Sequence, residues 1–491
     1  MGLFSVQSGA TVDGLIGLGQ SNMEGKGSSA ASPSVANGSI EIRRNGTIQA
    51  LADPVDASST GSLYPAFANE WFTRTGKPSA VMNSAFGNTS LLPNASGNWS
   101  PNGANRSLAT ANEFTAWRAI SDSSSYHFGQ RNALWLQGEN DAGTYNGTTI
   151  TDTLYTSALE NLFDYFDDNL VSLDSIGVIT IGTPAASGGA VVDMADSTTI
   201  DNFSKIRRAT ALGAAAHSKA SVVYEGTASY DGLGFMGDTV HYNQDGLDEI
   251  GRCAARRLSG NSTAPTVTAP YLSTTAYIDV ADATKTSRTE YHTTGATTSC
   301  VIVPVVASLV GATTAFNITA TYGGVAMILA GVSSTADTGR VRTYLFYINE
   351  DVYGGTISSE TATIAVASSA SVDAIHFAAI EAKDAYRHDA RTGNANITAA
   401  SAASHNVLPM LDALVVTVSG ANAATATTCS LTNATEVVDA NILRTSSVQF
   451  TVGYSTVDAG DTLNLTHTYA RSCAEMAIVS AAFRAKIDGE G

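Results

Sequence analysis

Short apolar runs alternate with longer amphipathic stretches through the first 260 residues, and beyond them the amphipathic stretches vanish. The runs 14–18, 79–84, 132–137, 175–182 and 220–225 are each followed by glycine, a polar loop or a cluster of functional side chains, which predicts strands of a parallel sheet. Apolar residues recur at helical spacing between them. In 152–170, Leu154, Ala158, Leu159, Leu162, Phe163, Phe166 and Leu170 line one face, and acidic residues give the other a solvated surface. Helices are likewise predicted at 64–75, stopped by Gly76, at 203–217 and at 244–258. This alternation predicts a three-layer, doubly wound α/β domain.

Residues 259–270 are polar and punctuated by proline, and they mark a boundary. The organisation expected is an α/β domain over 1–260, a linker at 261–270 and an all-β domain over 271–491. Thr-, Ala- and Val-rich runs at 299–306, 315–322, 341–348, 356–367, 374–380, 413–418 and 448–454 predict antiparallel strands of a jelly-roll-like sandwich. No sequence repeat divides this region, so one large sandwich is expected rather than two. Glycan binding or oligomerisation are its candidate roles, with Tyr271, Tyr277, Tyr291 and Tyr353 as aromatics able to stack on sugars.

Candidate chemistry sits where the predicted strands end. Gly19-Gln20-Ser21-Asn22-Met23 follows the first apolar run and offers Ser21 at the C-terminal edge of the sheet, where open α/β sheets bind ligands. A serine hydroxyl needs a base, and Asp238-Thr239-Val240-His241 places a carboxylate three residues before an imidazole. Ser84 to Leu91 brings Gly87, whose N–H could face an oxyanion, and Trp135 to Asp141 supplies the side chains of Gln137, Glu139 and Asn140. Singly, each segment also reads as a turn or a helix cap; four of them at strand ends in one order read as a site. The α/β-hydrolase pattern Gly-x-Ser-x-Gly is excluded, because Met23 occupies its last position.

These four blocks resemble the SGNH hydrolase superfamily, in the branch of sialate O-acetylesterases and family 6 carbohydrate esterases, over roughly residues 10–260. The resemblance implies Ser21 as nucleophile, His241 as general base and Asp238 as the acid that orients it. It implies the amides of Ser21 and Gly87 as oxyanion donors, leaves Asn140 and Gln137 open as the third with Asn140 preferred, and casts Glu139 as a support. Asn88, where the branch often has a second glycine, and Glu24, where a small residue is common, depart from the pattern. The function expected is removal of O-acetyl groups from carbohydrates, with no metal or cofactor. The Asn-rich loop 94–112 is expected in the substrate wall, where it suits sugar better than a lipase or thioesterase acyl chain. The competing class is a non-catalytic, glycan-binding adhesive protein on the same scaffold.

Charge narrows the partners. A formal net charge of −18 over 491 residues argues against nucleic acid or an anionic membrane, and no apolar run could span a bilayer. The expected partner is an acetylated glycan. No signal peptide is visible, while low charge and high Ala, Gly, Ser and Thr content suit a secreted bacterial or virion-associated protein, and a phage tail protein would be a homotrimer. Cys253, Cys300, Cys429 and Cys473 form no zinc motif, which leaves room for one disulfide in the second domain.

Overall fold

The computed structural model describes residues 11–260 and 271–490, except 57–58, 94–96, 102–105, 124–126, 145–149, 171–172, 186–196, 279–284, 310–315, 334–340, 398–399, 410–411, 424–426, 443–446, 459–460 and 487–489. The linker expected at 261–270 lies outside the described residues. Seven strands form the first sheet: β1 (Thr11–Gly19), β2 (Ile40–Ile42), β3 (Ile48–Ala50), β4 (Ser79–Asn83), β5 (His127–Leu136), β6 (Ser175–Ile179) and β7 (Ala220–Tyr224). Their order is β3-β2-β4-β1-β5-β6-β7, with every pairing parallel except the β2–β3 hairpin. Setting the hairpin aside, the order is that of a flavodoxin-like doubly wound sheet, with β1 at the switch point between β4 and β5.

The helices of this domain are α1 (Ser21–Glu24), α2 (Tyr64–Thr75), α3 (Arg106–Ser123), α4 (Glu139–Thr144), α5 (Asp152–Asn169), α6 (Ser197–Ala216), α7 (Tyr230–Leu233) and α8 (Gln244–Leu258). Gly14 and Gly17 lie three apart on β1, so they face opposite layers. A Cβ on Gly14 would strike Trp117 of α3, and one on Gly17 would strike Tyr64 of α2. Both helical layers therefore approach β1 closely. The predicted loop 94–112 gives way to α3 from Arg106 onward; Trp99, ahead of it, is buried edge-on against Trp135 with ring centroids 5.4 Å apart.

Beyond the boundary, β8 (Tyr271–Ile278), β9 (Lys285–Thr293), β10 (Cys300–Ser308), β11 (Ile318–Tyr322), β12 (Val325–Ala326), β13 (Ile328–Val332), β14 (Val341–Asn349), β15 (Thr361–Val372) and β16 (Ala374–Lys383) build a sandwich. Its sheets run β13-β14-β10-β16-β8 and β12-β11-β15-β9, with α9 (Glu350–Tyr353) following β14. A second sandwich uses β17 (Arg387–Ile397), β18 (Ala400–Val407), β19 (Ala413–Ala423), β20 (Cys429–Thr432), β21 (Thr435–Ile442), β22 (Ser447–Val457), β23 (Leu463–Cys473) and β24 (Glu475–Arg484). Its sheets run β21-β22-β19-β24-β17 and β20-β23-β18. Once β12 is set aside, the two orders coincide strand for strand, so the expected sandwich is present in duplicate. Each has jelly-roll order, first–eighth–third–sixth facing second–seventh–fourth.

The two five-stranded sheets pack on each other, with Ile302, Val306, Leu345 and Ile380 meeting Leu414, Val416, Phe450 and Val479. Their other faces cover the outer sheets, so β10, β14, β19 and β24 are buried at every residue. All four cysteines are buried free thiols, so the room left for a disulfide is not used. Among the described residues no helix is long and apolar enough to cross a membrane.

Buried ion pairs fasten the second sandwich to the α/β domain. Arg207 on α6 pairs with Asp389 at 2.8 Å, Arg391 with Asp231 of α7, and Arg387 with Glu249 of α8 at 2.7 Å. Arg387 and Arg484 share Glu490, at 3.3 and 2.5 Å. Such pairs add little net stability, but removing one partner strands a buried charge, so they fix orientation.

The interior of the second sandwich contains a polar seam. His405 Nε2 meets Ser480 Oγ at 2.6 Å, while His467 bonds to Thr417 and Ser419, each at 2.9 Å. Burial pushes His405 down to about 4, and burial together with its neighbour His405 pushes His467 down to about 3. Both are therefore neutral in the fold, whereas the unfolded chain takes up protons from about pH 6.5 downward. Stability is complete above that value and falls as the pH drops toward the folded values, by about 2–3 kcal/mol per histidine at about pH 4.5. Urea unfolding at the two pH values should show a larger acid loss for the wild type than for the His405→Gln/His467→Gln double variant; equal losses would refute this assignment.

Candidate active site

Ser21 begins α1 directly after β1, at the C-terminal edge of the sheet. The turn that places it requires Gly19, whose φ is +135° and whose added Cβ would lie 1.9 Å from the Leu136 carbonyl oxygen. His241 arrives on the loop ahead of α8, whose N-cap is Asn243, accepting from the Gly246 N–H at 3.1 Å. Its Nε2 lies 2.9 Å from Ser21 Oγ, and its Nδ1 lies 2.7 Å from Asp238 Oδ2. Asp238 Oδ1 accepts the N–H groups of Val240 and His241, each at 2.8 Å. Burial raises the Asp238 carboxyl, but His241 and these two amides outweigh it and hold the group below the usual carboxylate range.

Gly87 follows β4. A Cβ there would stand 3.7 Å from Ser21 Cβ and 3.0 Å from Glu24 Oε2, so the chain passes close to the serine and a side chain would press on the Glu24 carboxylate. Among the described residues, neither the Ser21 nor the Gly87 N–H has a protein acceptor. The departure at Asn88 is explained by its backbone, since φ is +59° and asparagine tolerates that region better than most residues. The departure at Glu24 is a buried carboxylate paired with Lys26 at 3.0 Å.

The block after β5 stitches the site together. Gln137 is fully buried; its Nε2 donates to the Thr89 carbonyl at 3.2 Å and to Asp141 Oδ2 at 2.5 Å, and its Oε1 accepts from Tyr155 at 2.6 Å. Both amide hydrogens are committed, so the expectation that Gln137 could serve an oxyanion is corrected: it is a brace. Asn140 Nδ2 donates to Ser90 Oγ at 2.7 Å. Asp141 accepts the N–H groups of Leu91 and Leu92 at 2.8 and 3.1 Å, and burial raises it to about 6 in spite of these bonds. The glycine block is thus hung from the block beside it.

Asn22, a member of the first block without an assigned role in the sequence reading, joins the remaining segments. Its Nδ2 donates to Glu139 Oε1 at 2.6 Å and to the Val240 carbonyl at 2.9 Å, and its Oδ1 accepts the Tyr242 N–H at 3.0 Å. The residues on both sides of His241 are therefore held by the neighbour of Ser21. Burial raises the Glu139 carboxyl, although the Asn22 bond opposes the shift.

At the rim, Phe86 lies between two guanidiniums, with Arg44 Cζ 3.9 Å and Arg106 Cζ 3.3 Å from its ring centroid. Arg44 is tied to Asp56 at 2.9 Å and to the carbonyls of Asn83 and Ala85. Burial and the nearby Arg44 lower the Arg106 guanidinium, while Glu113 and Glu24 oppose them. The structure thus gathers Ser21, Gly87, Glu139, Asp238 and His241, and it ties Asn140 to the loop that follows Gly87.

Known proteins show related patterns. The family model described as carbohydrate esterase, sialic acid-specific acetylesterase, matches residues 13–259, just over half of the chain. A solved protein from Arabidopsis thaliana is 18% identical, with 51% of this chain and 99% of that chain covered and a TM-score of 0.38. A novel carbohydrate acetylesterase from Xanthomonas citri is 12% identical, with 71% of this chain and 79% of that chain covered and a TM-score of 0.36. No curated protein sequence matches the chain.

Loss of the Asn22 carboxamide should loosen His241 rather than remove it. Asn22→Leu is expected to lower kcat by roughly a hundredfold, the scale of an ångström-sized misplacement. Steady-state kinetics beside near-UV circular dichroism decides the matter: a folded variant with unchanged kcat would exclude the clamp.

Proposed function

Because the chain belongs to the sialic acid-specific acetylesterase family of carbohydrate esterases, we propose that it removes O-acetyl groups from carbohydrate through an acetyl-enzyme formed on Ser21. The observation that carries this reading is the relay from Ser21 Oγ to His241 Nε2 at 2.9 Å and from His241 Nδ1 to Asp238 at 2.7 Å. His241 takes the serine proton as Oγ attacks the acetyl carbonyl, and Asp238 keeps the imidazole in the tautomer that can accept it. The Ser21 and Gly87 amides receive the oxyanion, and Asn140, held by Ser90, serves as the third donor. His241 then protonates the departing sugar oxygen, and water releases acetate by the same steps.

A long acyl chain fits the site poorly. Glu24, Lys26 and the guanidinium of Arg106 stand around Phe86 and Gly87, where a lipase would need an apolar channel. Arg106 offers planar donors that suit a carboxylate, such as that of the sialic acid in the family's description. On this reading the protein works outside the cell or on a virion, where acetylated glycans are met.

Acetate release from acetylated polysaccharides and turnover of 4-nitrophenyl acetate should both vanish in Ser21→Ala. Asn140→Ala should lower turnover by about a hundredfold or more, as expected for loss of one oxyanion donor. Glycan binding without any Ser21-dependent hydrolysis would instead establish an adhesive protein.

A further inference from the structure

Among the large apolar and aromatic side chains exposed in the described residues, Tyr291 stands apart at 82%, while Phe72, Leu108, Leu154 and Leu212 lie between 38% and 47%. It projects from β9 on the outer face of the four-stranded sheet, directly across from Thr363 of β15. The same face carries Thr293 and Thr361, whose hydroxyl oxygens lie 2.9 Å apart. Beyond Thr363 opens a groove of about 500 Å³ floored by Thr321, Gly323 and Thr363 and bordered by Tyr353 and Glu360. Gly323 has φ +57°, and a Cβ there would come within 3.0 Å of the Tyr353 hydroxyl, so glycine keeps this floor open beneath the ring. Tyr353 is set edge-on against Tyr322, 5.5 Å between centroids, and its hydroxyl lies 3.3 Å from Glu360 Oε1.

From this arrangement we infer that the outer face of the first sandwich, between Tyr291 and Tyr353, binds a neutral glycan chain. Size decides against a protein partner. A tyrosine buries about 150–250 Å², whereas a stable protein interface needs about 800 Å² from each side, and the surrounding residues here are small and hydroxylated. A sugar ring presents a C–H face that stacks on an aromatic and hydroxyls that bond to Thr and carboxylate oxygens, which are the groups at hand. Charge decides against a polyanion, because Glu360 lines the groove and no cationic side chain is among its described lining residues, on a chain of net charge −18. The aromatics flank three strands, a span on the order of 10 Å from strand spacing, which suits a short stretch of chain rather than one monosaccharide. The site is separate from Ser21 and does not rest on the proposed reaction.

Affinity electrophoresis of the full chain in native gels containing xylan, galactomannan, mixed-linkage glucan or polygalacturonate tests the inference. At least one neutral polysaccharide should retard the wild type and Ser21→Ala alike. Tyr291→Ala should weaken that retardation by roughly tenfold or more, the equivalent of one good contact, while 4-nitrophenyl acetate turnover remains at the wild-type level. Absence of retardation in every neutral gel, retardation by polygalacturonate alone, or retardation unchanged in Tyr291→Ala would overturn it. A Tyr291-dependent dimer in sedimentation would also overturn it, in favour of a contact between copies. Failure of wild-type turnover would count against the esterase reading and leave this one standing.

Discussion

One carboxamide holds the catalytic site in register. Asn22 spends both amide hydrogens and its oxygen on Glu139, the Val240 carbonyl and the Tyr242 N–H, partners more than a hundred residues away in sequence. An unsatisfied buried amide would cost about 1–3 kcal/mol, so the fold gains most when all three partners are present together. Because Asn22 follows Ser21 and its partners flank His241, satisfying this amide also sets the distance between Ser21 and His241. The site is thereby built by hydrogen-bond accounting as well as by strand geometry.

The sandwiches reach the same point from behind. His241 lies two residues before the cap of α8, and Glu249 on that helix is bound by Arg387 of β17 and by Tyr224 at the end of β7. A buried arginine with two carboxylates leaves little freedom to rock, since any opening would expose uncompensated charge to an apolar interior. The second sandwich therefore acts as a buttress for the helix that follows His241. Among the described residues the first sandwich meets the α/β domain at β13 against α7, and its four-stranded sheet lies on the side away from the second sandwich, which suits a division between support and binding.

Much of this was legible in the sequence, for identifiable reasons. Strands β1, β4 and β5 are apolar runs that end in glycine or polar blocks, so the sheet and three of the four motif segments could be read from them, whereas Asp238 to His241 lies on the loop ahead of α8 and not at a strand end. The duplication could not. Sheets buried on both faces lose the alternation that marks a strand's inner side, and β10 and β19 read as plain apolar runs whose shared valines are too common to mark a repeat. Helix α3 was hidden because its first turn follows an asparagine-rich stretch and its apolar face is weak, held mainly by Phe114 and Trp117. Gln137 and Asn140 are both amides beside the site, and only coordinates distinguish the one locked onto Asp141 from the one bound at Ser90.

Charge links the two surfaces into one argument. A chain of net charge −18 repels a polyanion at a distance, and that field is screened beyond about 8–10 Å at physiological ionic strength. Within that range the local groups govern, and at the rim of the site these include Lys26, Arg44 and Arg106. The enzyme is thus arranged to meet its substrate by contact rather than by long-range steering. A neutral-glycan face on the first sandwich supplies that contact without charge, and it raises the local concentration of esters at a site whose own field would not gather them.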